Sequence, residues 1–272
     1  MNVQQLLNKK QQGEKIVMVT AYDYYGALLT EQAGADIVLV GDSLGNVMLG
    51  YGSTTPVTME DILHHTKPVA RALKKALVVA DMPFGSYQIS VELTLTNAIR
   101  LIKEGGAQAV KLEGGEETAP AISALSQQGI PVMAHIGLLP QTAGMWQGFR
   151  CQGRDAASAQ RLLATAIQLE QAGAFSVVLE CVAAEAAAQI TAALKIPTIG
   201  IGAGPDCDGQ VLVFHDIAGL NAGHVPRFAK RYGDAAAVIR QAIAGFAAEV
   251  VSGAYPDAGH SFFMDADELK KL

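Results

Sequence analysis

Residues 107–114 read AQAVKLEG, and residues 76–83 read ALVVADMP. Both runs are near-continuously apolar, and both end on ionisable side chains: Lys111 and Glu113 in one, Asp81 in the other. An apolar run without alternation is the pattern of a parallel strand buried on both faces. Six further runs of this kind lie outward along the chain: 15–22 (KIVMVTAY), 35–43 (ADIVLVGDS), 130–137 (IPVMAHIG), 175–182 (FSVVLECV), 196–204 (IPTIGIGAG) and 211–220 (VLVFHDIAGL). Between most of them the sequence turns helical. Residues 90–104 place Val91, Leu95, Ile99 and Ile102 at roughly helical spacing, and residues 155–172 and 184–194 are rich in Ala, Leu and Gln. Helix ends repeat as well. Glu31-Gln32-Ala33-Gly34-Ala35 recurs as Glu170-Gln171-Ala172-Gly173-Ala174, with Glu104-Gly105-Gly106-Ala107 as a variant. Each puts glycine where a helix needs a left-handed residue before the next strand.

Eight strands alternating with helices over about 250 residues predict a (β/α)₈ TIM barrel, with a doubly wound open sheet as the competing arrangement. About six residues (205–210) separate the seventh and eighth runs. That is too few for a full crossover helix, so either the helix is a single turn or a strand is misassigned. No Ser/Gly/Pro-rich linker divides the chain, so residues 1–272 are expected to form one catalytic domain, with a peripheral tail after about 255.

Composition agrees and excludes much. The chain has 272 residues, half of them hydrophobic and 17% charged, which implies a large core and rules out disorder. With 26 acidic against 20 basic residues the net charge is −6, which argues against nucleic acid as a partner. Cys151, Cys181 and Cys207 are odd in number and form no CxxC pair, so neither a disulfide framework nor a zinc knuckle is expected. The polar start, without an apolar stretch, and the lack of a run of about 18 apolar residues predict neither a signal peptide nor a membrane helix. The expected setting is the cytoplasm, without a membrane partner.

Charge is scarce, so its position is informative. Asp42, Asp81, Lys111, Glu113, His135 and Glu180 all fall at the C-terminal ends of apolar runs. In an α/β barrel these ends form the floor of the active site. Burying several carboxylates without a cation is prohibitive. Asp42, Asp81 and Glu113 are hard oxygen donors with no cysteine among them, a set suited to a divalent cation, Mg²⁺, with positions left for water and substrate. By strand alternation Lys111 and Glu113 share a face, and so do Val40 with Asp42, Val79 with Asp81 and Val178 with Glu180. His135 reads either as a fourth ligand or as a hydrogen-bond donor to a substrate oxygen. Glu180, on a later strand, is placed for general-base work. Lys111 is either an ammonium that offsets the charge of a bound acid or enolate, or a Schiff-base amine. Ser43 should point away from Asp42 and offer its backbone N–H. The glycines of residues 200–204 read equally as an anion nest or as a tight turn. Trp146, in the Gly-rich stretch 142–153, suggests a lid or interface loop. His64 and His65 are expected to be surface or packing residues, His215 and His224 structural, and Cys181 to pack rather than react.

At these residues the chain resembles the ketopantoate hydroxymethyltransferases. The resemblance runs through residues 20–24 (TAYDY), 40–45 (VGDSLG), 81–84 (DMPF), 111–115 (KLEGG), 135–138 (HIGL) with Pro140-Gln141, 179–182 (LECV), 199–204 (IGIGAG) and 228–230 (FAK), in order, over about residues 3–260. It implies a (β/α)₈ barrel and a homodecamer that uses one Mg²⁺ per subunit, with a small-molecule 2-oxo acid and 5,10-methylenetetrahydrofolate as substrates. The implied metal ligands are Asp42, Asp81 and Glu113. Asp42, Ser43, Asp81 and Lys111 would contact the ketoacid, with Glu180 as the base. Ala183, Cys151 and Asn46 depart from the family pattern, and none is a carboxylate. The competing chemistry is a Mg²⁺-dependent C–C lyase or mutase of the isocitrate-lyase or phosphoenolpyruvate-mutase type.

Overall fold

A computed structural model describes residues 1–146, 150–221 and 225–272. Eight strands close a wholly parallel barrel in sequence order: β1 (Ile16–Thr20), β2 (Ile37–Val40), β3 (Leu77–Asp81), β4 (Ala109–Glu113), β5 (Val132–Gly137), β6 (Ser176–Glu180), β7 (Thr198–Ile201) and β8 (Gly209–Leu212). β8 closes the ring onto β1 with Ile16 opposite Gly209 and Met18 opposite Val211. The helices are α1 (Val3–Gln12), α2 (Tyr24–Gln32), α3 (Leu44–Val47), α4 (Met59–Ala72), α5 (Val91–Arg100), α6 (Ala119–Gln127), α7 (Pro140–Trp146), α8 (Ala156–Gln171), α9 (Ala184–Ala193), α10 (Phe214–Ala218), α11 (Ala235–Ser252) and α12 (Ala266–Leu269).

Local chemistry sets these boundaries. Ser90 caps α5 by accepting from the Leu93 N–H, and Asp155 opens α8 in a reciprocal cap with Ser158. Gly34, Gly106 and Gly173 are all left-handed, as the repeated helix ends require. The glutamate of the repeat has its own task. Glu31 Oε1 accepts from the N–H groups of Lys74, Lys75 and Ala76, and Glu170 Oε1 from those of Lys195 and Ile196. Each clamps the turn that leads into a later strand, β3 or β7.

Side-chain alternation divides the core into two layers. Ile37 and Leu39, Leu77 and Val79, Ala109, Met133, Val178, Ile199 and Val211 fill the barrel, and Leu6 of α1 joins that cluster. The intervening residues, among them Val38, Val40, Val78, Ala80, Val110, Leu112, Ala134 and Leu179, pack outward with the helices. Continued upward, the inward row of β3 to β6 reaches Asp81, Lys111, Glu113, His135 and Glu180.

Three expectations meet the structure in different ways. The eighth strand is Gly209–Leu212, not residues 211–220, because Phe214–Ala218 folds as a helix. A short apolar run does not by itself distinguish a strand from a buried helical turn. The connection from β7 to β8 is not a one-turn helix; the other alternative holds, since the eighth strand was misassigned and begins at Gly209. Residues 202–208 form an extended turn, and seven extended residues reach about 23 Å, enough to return along a four-residue strand. Finally, α11 is long and apolar enough to cross a membrane by length and composition, where no such helix was expected. Arg240 and Glu249 interrupt its apolar run. None of its residues is buried.

Candidate active site

The strand ends of β3, β4, β5 and β6 bring the expected charges together. Asp81 lies opposite Lys111 in the register of β3 and β4, and the two form an ion pair of 2.8 Å. Glu113 lies opposite His135 across β4 and β5, with Oε1 3.3 Å from Nδ1. His135 Nε2 in turn stands 3.2 Å from Glu180 Oε2. Lys111 Nζ is 3.8 Å from Glu113 and 3.3 Å from His135 Nδ1. Asp81, Lys111, Glu113 and His135 are at most 5% exposed, and the Glu180 side chain is 14% exposed.

Asp42 and Ser43 arrive by another route. The inward residue of β2 is Leu39 and Val40 packs outward, so alternation would turn Asp42 away from the barrel. β2 stops at Val40 instead, and the turn before α3 carries Asp42 over the mouth, where it is buried and donates its N–H to Asp81 Oδ2 at 2.9 Å. The Ser43 side chain does not point into solvent. Its hydroxyl bonds the buried Tyr22 hydroxyl at 2.8 Å. Gly137 makes the approach of β5 to β6 possible. Its φ is +100°, and a Cβ there would lie 2.3 Å from the Glu180 carbonyl.

The electrostatics are those of carboxylates in excess. Burial, then Asp81 and Glu113, hold the Asp42 carboxyl well above the usual carboxylate range. Burial also raises Asp81, against the pull of Lys111. Glu113 goes the other way: burial opposes ionisation, but His135 and Lys111 lower it. Burial and Lys111 disfavour charge on His135, yet Glu113 and Glu180 push it up to about 9. Lys111 is raised above its ordinary value, because Asp81, Glu113 and Asp42 outweigh burial. That favours the ammonium over the free amine of a Schiff-base enzyme.

Four carboxylates thus face two cations, and the donors left over suit a hard divalent ion. Asp81 Oδ1 is buried and, although 2.8 Å from Lys111 Nζ, accepts no well-directed hydrogen bond. Among the described residues no three His, Cys, Asp or Glu side chains already stand at metal-binding geometry. The donor chemistry therefore fits Mg²⁺, with side chains that must adjust to receive it.

One further residue joins the site. Gln141, at the start of α7, is buried and contacts Asp42, Glu113, Met82 and Tyr87. It stood in a matching motif, but a neutral amide outside the strands carries no charge signal. Tyr87, whose hydroxyl reaches the Glu113 carbonyl, gave none either.

The remaining candidates lie elsewhere. A Cβ on Gly202 would meet the Phe228 ring at 2.8 Å and one on Gly204 would meet Ala184 at 2.6 Å, so this turn packs tightly against protein. His65 bonds the Tyr22 carbonyl, and His64 stacks on His65. His215 packs between Tyr22 and Phe214. Cys181, left-handed at φ +47°, has its thiol pushed up to about 12 by burial and by Glu180, which makes it unreactive. The side chain of Trp146, residues 147–149 of the suggested lid loop, and His224 lie outside the described residues.

A profile of the ketopantoate hydroxymethyltransferase family matches residues 1–258. The 3-methyl-2-oxobutanoate hydroxymethyltransferase of Carboxydothermus hydrogenoformans is 53% identical over 99% of this chain and 98% of its own. The enzyme of that name from Moorella thermoacetica is 56% identical over 95% and 96%. Among solved structures, a phosphonopyruvate hydrolase complexed with oxalate and Mg²⁺ superposes with a TM-score of 0.60 at 15% identity, over 99% of this chain and 93% of its own. A 2,3-dimethylmalate lyase of the PEP mutase/isocitrate lyase superfamily gives 0.56 at 15% identity, over 99% and 93%. At that identity these two structures speak for the barrel fold alone.

Proposed function

The chain belongs to the ketopantoate hydroxymethyltransferase family, and from that premise we propose how its own residues carry out the hydroxymethyl transfer. The reaction is addition of a one-carbon unit from 5,10-methylenetetrahydrofolate, with water, to 3-methyl-2-oxobutanoate, giving ketopantoate and tetrahydrofolate. The observation that carries this reading is the buried set of Asp42, Asp81 and Glu113 around Lys111 at the C-terminal mouth of the barrel.

Asp42, Asp81 and Glu113 would hold Mg²⁺. When bound, the ion supplies Lewis-acid polarisation of the ketoacid's oxygens. Asp42, Ser43, Asp81 and Lys111 bind and orient the ketoacid, and the Lys111 ammonium offsets its negative charge. Glu180 takes the proton from the carbon next to the keto group. The C–H electron pair becomes an enolate beside Lys111. That carbon forms the new bond to the one-carbon unit while the unit's bonds to the two folate nitrogens break. The nitrogens take up the proton from Glu180 and one from water, and water supplies the hydroxyl oxygen. His135 stands between Glu113 and Glu180, close to both carboxylates, and brings its positive charge beside Glu180. Glu180 stands one imidazole away from the triad, near enough to serve the same substrate while remaining outside the ligand set.

We also propose a homo-oligomer, a decamer by family resemblance, in which the apolar side of α11 lies against another copy. A cytoplasmic setting suits three cysteines that are free in the fold.

The test is the folate dependence of 3-methyl-2-oxobutanoate consumption, with ketopantoate as product and EDTA abolishing turnover. Cleavage of a 2-oxo acid without folate would install the lyase chemistry of the structural neighbours instead.

A further inference from the structure

We propose that Gln141 is a positioning residue that sets the orientation of the Asp42 and Glu113 carboxylates. The inference rests on the reading above, in which those carboxylates receive the cation. Gln141 is 1% exposed, so water cannot replace its contacts. Its Nε2 donates to Asp42 Oδ2 at 2.9 Å and to the Met82 carbonyl at 3.0 Å. Its Oε1 accepts from Tyr87 Oη at 2.7 Å and Gln88 Nε2 at 3.3 Å, and its backbone N–H donates to Glu113 Oε2 at 3.2 Å.

This network decides which way round the amide sits. A backbone carbonyl can only accept, so the atom facing Met82 must be the amide nitrogen. Turned over, Oε1 would face a carbonyl and a carboxylate while Nε2 met the Gln88 amide. The Tyr87 hydroxyl has one proton and two acceptors, Gln141 Oε1 and the Glu113 carbonyl at 2.8 Å. It can donate to only one of them at a time, so the single proton is shared between the amide and the end of β4. One residue from the connection after β5 thus touches the ends of β2, β3 and β4: its side chain holds the Asp42 carboxylate directly, and its backbone N–H, placed by the anchored side chain, holds Glu113. Groups that orient ligands in this way typically govern metal affinity.

Mn²⁺ serves as the probe, followed by electron paramagnetic resonance on the full-length chain without substrate. Gln141→Met keeps the length and removes the amide; it should weaken Mn²⁺ about 10- to 100-fold. Gln141→Glu keeps the shape but sets an acceptor against Asp42, and should weaken it at least as much. Tyr87→Phe leaves the amide in place without its anchor and should give a smaller loss, about three- to tenfold, by the same reasoning. A Gln141 that merely packs would lower the melting temperature and leave the affinity of the folded protein unchanged. Wild-type affinity, within twofold, in Gln141→Met overturns the inference; if that variant does not fold, wild-type affinity in Tyr87→Phe does so. Wild-type protein that binds no Mn²⁺ overturns the metal reading beneath it, which is a different failure.

Discussion

The barrel mouth and helix α11 invert the usual placement of side chains in opposite senses. At the mouth, Asp42, Asp81, Lys111, Glu113 and His135 are buried. Along α11, Val238, Ile239, Ile243, Phe246, Val250 and Val251 are exposed. Each inversion is costly in an isolated chain. Buried carboxylates lose their hydration, and a contiguous apolar surface in water marks an interaction site. The difference is in what relieves the cost. The mouth lacks positive charge, which a small ion can supply. The helix lacks apolar contact, which only a large surface can supply. On the function proposed above, the first misplacement suits a ligand and the second a partner.

Lys111→Met should break the mouth most severely. It leaves Asp81 buried without its partner, and removing one member of a buried pair costs about 3–5 kcal/mol. Urea unfolding of the metal-free protein should show that loss, together with absent turnover. Unchanged stability would mean that the mouth is not a charge-balanced unit.

Glu180→Gln separates the base from the cation site. Turnover should fall about 10²- to 10⁴-fold while metal affinity stays near wild type. A loss of affinity like that of Asp81→Asn would make Glu180 a ligand and remove its role as base. Helix α11 gives the complementary test. Ile243→Glu with Phe246→Glu should dissociate the assembly in sedimentation velocity, while the barrel's melting temperature moves only by what the assembly contributed, because neither side chain is buried within its own chain. An assembly that survives the change would place the interface elsewhere.

The two regions were not equally legible. The mouth could be read because ionisable residues are conspicuous in apolar strands, and for Asp81, Lys111, Glu113, His135 and Glu180 the period of two carried the reading from sequence to space. It misled at Asp42, whose strand stops two residues early, so the reason offered for its placement was wrong although it does reach the mouth. Gln141 was invisible as a contact residue because its significance lies in partners from three distant stretches of the sequence: Asp42, residues 82–88 and Glu113. At β8 the apolar content of Phe214, Ile217 and Ala218 could not say whether the chain was strand or helix. The exposure of α11 is a tertiary fact, since its alanine-rich sequence would serve equally well as an ordinary outer helix of the barrel.

The smallest predicted effect probes the mouth without mutation. Asp42 and Asp81 have carboxyl groups raised by burial, so the folded, metal-free chain holds protons there that the unfolded chain releases. Stability from such groups is lost as pH rises. His135 has the same sign: raised to about 9 from 6.5, it contributes stability below 6.5 that disappears as pH climbs through about 9. Glu113 is lowered and acts oppositely, but its effect falls in the acid range, where stability is lost as pH drops through its folded value. Between pH 6.5 and 9 His135 sets the slope, with Asp42 and Asp81 contributing in the same direction above their unfolded values, and melting temperature in EDTA should fall across that window. Saturating Mg²⁺ should raise it more at pH 9 than at pH 6.5, because the ion competes with protons for the same oxygens. A Mg²⁺ increment that is equal at both pH values would mean that the cation binds somewhere other than these carboxylates. The Ile243→Glu, Phe246→Glu protein should show the same pH-dependent increment as wild type, since α11 carries none of the titrating groups involved.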